Sequence, residues 1–121
     1  MNNVFLYAAR DTLAYRQVEA YLTRISFNAS MIILPPSTQF YSPACLELRS
    51  NDFIILFAET DEDINELLSL NDEYESFRII LIVKSEDYIN TKKIINLSPR
   101  MIAYLDKNID DVGNYLINIF R

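Results

Sequence analysis

Short apolar runs recur along this chain, separated by stretches with helical spacing. The runs are Val4 to Ala8 (VFLYA), Met31 to Leu34 (MIIL), Asp52 to Phe57 (DFIILF), Arg78 to Val83 (RIILIV) and Met101 to Leu105 (MIAYL). Runs this short, apolar at successive positions and rich in Ile and Phe, read as strands covered on both faces. Between the first two, Leu13, Val18, Leu22 and Ile25 trace one face of an amphipathic helix that Asp11 or Thr12 can cap. Pro35 and Pro36 stop the second strand. Ser37 to Ser42 reads as a loop, and a short helix is expected from about Pro43 to Arg49.

After the third strand, Thr60 or Asp61 caps a helix carrying Ile64, Leu67 and Leu68, with acidic residues in the first turn where the helix dipole favours them. Ser85 caps the next helix, Glu86 and Asp87 lie in its first turn, and Ile89 with the Ile94–Ile95 pair supplies its buried face. Pro99 ends it. The last helix starts near Ile109 and shows Ile109, Val112, Leu116 and Phe120 at helical spacing. Strands alternating with helices predict an α/β fold of three layers, α/β/α, around a parallel sheet. Right-handed crossovers leave the flavodoxin-like order 2-1-3-4-5 as the leading topology, with strand three beside strand one at the switch point. We expect one domain over residues 1–121, which reads equally as a whole small protein or as one domain of a longer one.

Composition narrows the function classes. Half of the chain is apolar and 23% is charged, ordinary for a globular protein. A formal charge of −6 argues against a nucleic-acid surface, which needs clustered Lys and Arg, and gives no attraction to an anionic membrane. No apolar run approaches the roughly 20 residues needed to span a bilayer. The start, MNNVFLYAAR, lacks the basic segment and long apolar core of a secretory signal. Cys45 is the only cysteine, so an internal disulfide is excluded and a reducing, cytoplasmic setting fits. The thiol has no His or second Cys beside it and reads as buried and inert.

Two absences say more. The chain has no His, the commonest general base and metal ligand. Its one glycine, Gly113, lies near the C-terminus, whereas phosphate-cradling loops use several so that backbone N–H groups approach the anion. A Walker-type or Rossmann-type nucleotide site is not expected, nor is any other cofactor.

Two segments carry a resemblance. Tyr104-Leu105-Asp106-Lys107-Asn108 has an aromatic residue and a Lys at the spacing of a fifth-strand signature that commonly continues with Pro, here Asn. Asp52 to Phe57 has the frame Asp followed by four apolar residues, with Phe57 at the sixth position. With the element order, these resemble the receiver domain of two-component response regulators over nearly the whole chain. The resemblance implies a phosphoacceptor Asp where Phe57 stands, an acid pair for Mg²⁺ where Ala8 and Ala9 stand, and a Thr or Ser where Val83 stands. Lys107 and Tyr104 match the receiver's Lys and its switch aromatic. Phosphoryl transfer needs a carboxylate nucleophile, carboxylates for the cation and donors for the phosphoryl oxygens. Phe, Ala and Val supply none of these. The chain therefore resembles a degenerate receiver, a pseudo-receiver, with no catalytic residue, no metal and no enzymatic activity expected.

The remaining polar residues have competing readings. Glu59, Asp61, Glu62 and Asp63 suit a helix start, yet can also hold a divalent cation, and Glu59 can stand in for the charge of a phosphorylated acceptor. Lys107 reads as an electrostatic anchor, paired with Glu59, Asp11 or Asp106, or as a solvated side chain. In receivers the partner surface is built from the fourth helix, fifth strand and fifth helix, here parts of Glu86 to Leu97, Met101 to Leu105 and Ile109 to Phe120. Tyr88, Tyr104 and Tyr115 lie there, and tyrosine suits interfaces because one end is apolar and the other polar. Tyr104 reads otherwise as a half-buried edge aromatic. Pro35 to Tyr41 forms an apolar loop, either a second contact or folded back on the sheet.

The expected function is a signalling module that acts by phosphorylation-independent protein contact, with a protein partner or as a homodimer. The alternative is an unconventional phosphorylatable or small-molecule-binding receiver that uses Glu59 or Asp61 at the strand ends.

Overall fold

The computed structural model describes residues 3–34, 53–69, 77–85 and 91–120. Five strands, β1 (Asn3–Ala8), β2 (Ser30–Ile33), β3 (Phe53–Ala58), β4 (Arg78–Val83) and β5 (Met101–Tyr104), form one sheet. Every pairing is parallel and the order is β2-β1-β3-β4-β5, the flavodoxin-like order. The helices are α1 (Leu13–Arg24), α2 (Asp61–Ser69), α3 (Thr91–Ile95) and α4 (Asp110–Ile119). The short helix expected at 43–49, the loop before it and Cys45 lie outside the described residues.

The continuous apolar runs follow from a sheet covered on both sides. All six residues of β3 are buried, so alternation sends three to each face. Val4, Leu6, Phe53, Ile55 and Ile80 pack with Val18 and Leu22 of α1 and with Val112 and Leu116 of α4. Phe5, Ile54, Leu56, Ile79 and Leu81 pack with Ile64 and Leu67 of α2 and Ile94 of α3. Central β3 contributes equally to both layers.

Helix starts follow the capping residues. Thr12 is the cap of α1, its hydroxyl accepting the Tyr15 N–H at 3.1 Å. Thr60 does the same for α2, accepting the Asp63 N–H at 3.3 Å. Two expected buried positions are corrected. Leu13 is 77% exposed and Ile95 is 70% exposed. Tyr15 takes the inward place in the first turn of α1, and Ile94 alone of its pair enters the core.

At the amino-terminal pole of the sheet the contacts are aromatic. Phe120 lies against Phe27 at 6.0 Å between centroids and edge-on to Phe53 at 5.7 Å. Tyr115 is also edge-on to Phe53, at 5.9 Å, and the Arg78 guanidinium stands 3.9 Å over the Phe53 ring. The Phe120 carbonyl accepts the Asn28 N–H at 3.0 Å, which ties the end of α4 to the turn between α1 and β2. Gly113, buried in α4, lets α1 approach: a Cβ there would run into the Tyr21 hydroxyl and the Ile25 methyl.

Candidate functional site

The carboxyl ends of β1, β3 and β4 meet where parallel α/β sheets place their sites. The register sets Ala8 level with Phe57, and Phe57 level with Ile82. Ala8, Phe57 and Ile82 all point to the α1–α4 face, where the Phe57 side chain is 2% exposed. Its ring lies 6.5 Å from that of Tyr15. Ala9, following β1, is also buried. The end of β3 is thus filled by an aromatic side chain and bounded by methyl groups.

Val83 is not part of this group. It pairs with Ala58 and Tyr104, and its side chain enters the core on the α2–α3 face, opposite Phe57. Neighbouring strand residues point to opposite faces, so a one-residue step changes the layer. The β4-end residue whose side chain reaches the turn after β3 is Lys84. Its ammonium donates to Glu59 Oε1 at 3.1 Å and its backbone N–H to the Ala58 carbonyl at 3.0 Å.

Two of the acids after β3, Glu59 and Asp63, are engaged with nitrogen donors. Asp63, nearly buried, receives Arg10 through two bonds, Nε to Oδ1 at 2.8 Å and Nη2 to Oδ2 at 3.1 Å. Asp63 Oδ2 also accepts the Glu59 N–H at 2.9 Å. The Arg10–Asp63 hydrogen bonds, then the Asp63 charge, raise the Arg10 guanidinium above its ordinary value. Asp61 is partly buried and Glu62 exposed. Among the described residues no three His, Cys, Asp or Glu side chains are gathered as a metal-binding group. Asp11, one of the partners considered for Lys107, pairs with Arg16 at 3.1 Å on the surface, and that hydrogen bond holds its carboxyl below the usual range.

Burial also marks two oxygens. Among the described residues, the Tyr15 hydroxyl and Glu59 Oε2 are buried without a hydrogen-bond partner. Burial pushes the Tyr15 phenol up to about 12, with the nearby charges of Glu19 and Asp11 adding to it. For Tyr21, burial and then the charge of Asp110 raise the phenol as well.

Lys107 and Tyr104 lie at the end of β5. Lys107 is exposed, and its backbone N–H donates to the Tyr104 carbonyl at 3.1 Å. Asn108, which stands where the receiver signature commonly has Pro, organises this turn. Its Oδ1 accepts the Tyr104 N–H at 2.7 Å, its own N–H donates to the Tyr104 carbonyl at 3.0 Å, and its Nδ2 donates to Asp111 at 3.2 Å. The Tyr104 side chain is partly buried against the α2–α3 layer. Tyr115 is partly buried on the other layer against Phe53, and Tyr88 lies outside the described residues. The sheet thus separates Tyr104 from Tyr115 rather than gathering them. Sequence reading missed Arg10 and Lys84, and took Asn108 only as the residue in place of Pro. Asp63 could be found there only as a member of an acidic run.

No protein-family profile matches the chain and no curated protein matches it. Among solved structures it is similar to response regulator Rcp1 in its Mn²⁺-bound form, with 15% identity over 96% of this chain and 90% of that one, and a TM-score of 0.55. At that identity the likeness establishes the fold alone, and with the strand order it makes this a receiver-like, flavodoxin-like fold.

Proposed function

We propose that this chain is a regulatory module of receiver-like fold that acts through protein contact without being phosphorylated. The observation that carries the reading is the side chain at the end of β3, where Phe57 is buried against Tyr15 beside Ala8. A phenyl ring has no lone pair with which to attack phosphorus, and methyl groups do not ligate a hard cation. Rcp1 is recorded with Mn²⁺. In this chain the carboxylates nearest the strand ends, Asp63 and Glu59, carry Arg10 and Lys84 instead. On this reading the module has no enzymatic activity and works in the cytoplasm, and among the described residues no helix is long and apolar enough to cross a membrane.

The partner is a protein, or a second copy of the chain, docking on α3, β5 and α4. Ile95, Ile102 and Ile117 are exposed on these elements, while Tyr104 and Tyr115 lie on opposite layers of the sheet. Tyr88 belongs to the same stretch of sequence.

Amide NMR spectra recorded with Mg²⁺ and beryllofluoride, a phosphoryl mimic, test the reading. The expected result is unchanged resonances for Ala8, Phe57, Glu59 and Lys84. Shifts centred on Glu59 and Asp61 would overturn it in favour of an unconventional phosphorylatable or small-molecule-binding receiver. Sedimentation of the chain across a concentration series then decides between a second copy and a different protein as partner.

A further inference from the structure

Four charged residues are linked across the strand ends, the middle link running through the Glu59 backbone N–H. Arg10 follows β1, Glu59 follows β3 and Lys84 follows β4, in the order of the strands in the sheet, while Asp63 stands in the first turn of α2 between Arg10 and Glu59. The links are Arg10 to Asp63 at 2.8 and 3.1 Å, the Glu59 N–H to Asp63 at 2.9 Å, and Lys84 to Glu59 at 3.1 Å. Two cations and two anions balance. The pivotal group is Asp63, whose side chain is 7% exposed. A carboxylate taken that far from water needs a counter-charge, and a planar guanidinium meets both its oxygens at once.

We propose that Arg10, Asp63, Glu59 and Lys84 form a latch that holds the loops after β1, β3 and β4 together with the chain's own cations, in place of a divalent ion. The latch rests on the reading that this strand end works without phosphate, and it adds how the crevice is kept in one arrangement. A hard cation is bound by oxygen ligands it can approach directly. Here both Asp63 oxygens face N–H donors, and Glu59 Oε1 faces an ammonium. Among the described residues Glu59 Oε2 is buried with no partner, so it adds one oxygen to any site opened beside it. Removing the Arg10 guanidinium frees Asp63 Oδ1 to meet a cation, while the Glu59 N–H still holds Oδ2.

The test is Mn²⁺ added to the whole chain, read as paramagnetic broadening of backbone amides. In the unaltered chain, Ala58, Glu59, Thr60 and Lys84 keep their intensities relative to the β2 amides. In Arg10→Met the same four amides broaden several-fold more at the same Mn²⁺ concentration, and Asp63→Asn added to Arg10→Met abolishes the gain. Equal broadening in the unaltered chain and in Arg10→Met overturns the latch. A second measurement needs no variant: the Arg10 Nε–H exchanges with water several-fold more slowly than the Arg16 Nε–H, whose partner Asp11 is exposed. Equal exchange rates likewise overturn it. Neither readout uses beryllofluoride or self-association. The latch can therefore fail while the phosphorylation-independent reading stands, and a beryllofluoride response in the unaltered chain would remove that reading by itself.

Discussion

Phe57 and Tyr15 meet with their rings tilted by 47° and their centroids 6.5 Å apart, so the end of the central strand is sealed from the side of α1. Phe57→Asp, which supplies a receiver-like carboxylate, removes this contact and places an ionisable group among Ala8, Tyr15 and Ile82. The cost expected from the lost packing alone is about 3 kcal/mol. Urea denaturation measures it. The variant gains no beryllofluoride response, because Ala8 and Ala9 still provide no oxygen for a cation.

Tyr15→Phe is expected to stabilise the fold at neutral pH by less than about 1 kcal/mol, since among the described residues its buried hydroxyl has no partner in hydrogen-bond geometry and the Glu19 carboxylate lies near it. The pH dependence follows from the phenol's rise from 10 to about 12. Below pH 10 both folded and unfolded chains keep the proton. Above it the unfolded chain loses the proton first, so stability falls from about pH 10 through about 12. Thermal melts between pH 9 and 12, run beside the unaltered chain, are expected to show a shallower fall in Tyr15→Phe.

Gly113→Ala sets helix propensity against packing. Alanine favours a helix interior by about 1 kcal/mol, but its methyl meets the Tyr21 hydroxyl and the Ile25 methyl. A net loss of about 1–2 kcal/mol is expected. In a Tyr21→Phe background the loss shrinks, because the hydroxyl nearest the new methyl is gone. A double-mutant cycle in urea checks this coupling.

Asn108→Pro, which restores the receiver-like residue, removes the N–H given to the Tyr104 carbonyl and the side-chain oxygen that accepts the Tyr104 N–H. The expected cost is about 2 kcal/mol. Asn108→Ala keeps the backbone donor and costs about half as much. Loss of amide protection at Tyr104 in both variants is the direct readout.

Arg10→Met is expected to cost about 1–3 kcal/mol, because it strips a two-point, charge-assisted contact from a nearly buried carboxylate. Lys84→Met removes a single contact from a more exposed pair and costs less than about 1 kcal/mol. Chemical denaturation of the two variants side by side measures the difference.

The strands and their order were legible because β1, β3 and β4 are continuous apolar runs between helical stretches, which leaves little choice of topology. Thr12 and Thr60 were legible as caps because capping is decided within four residues. The strand-end polar network was not. Arg10 and Asp63 stand 53 positions apart, and only the pairing of β1 with β3 brings them together. Val83 shows a second kind of difficulty. In a run buried throughout from Ile79 to Val83 there is no polar alternation to fix the phase, so its layer depends on register. The outward turn of Leu13 has a similar origin: helical spacing admits either Leu13 or the Ala14–Tyr15 pair as the inward start of α1, and the larger Tyr15 fills the space beside Phe57.

The two poles of the sheet are fastened by different forces. At one, Phe27, Phe53 and Phe120 hold by ring contact, which added salt leaves intact. At the other, beside the Phe57–Tyr15 contact, Arg10, Asp63, Glu59 and Lys84 hold by charge, part of it open to solvent and therefore screened as salt rises. Rising salt is therefore expected to weaken the ties between the loops after β1, β3 and β4 before it reaches the aromatic pole.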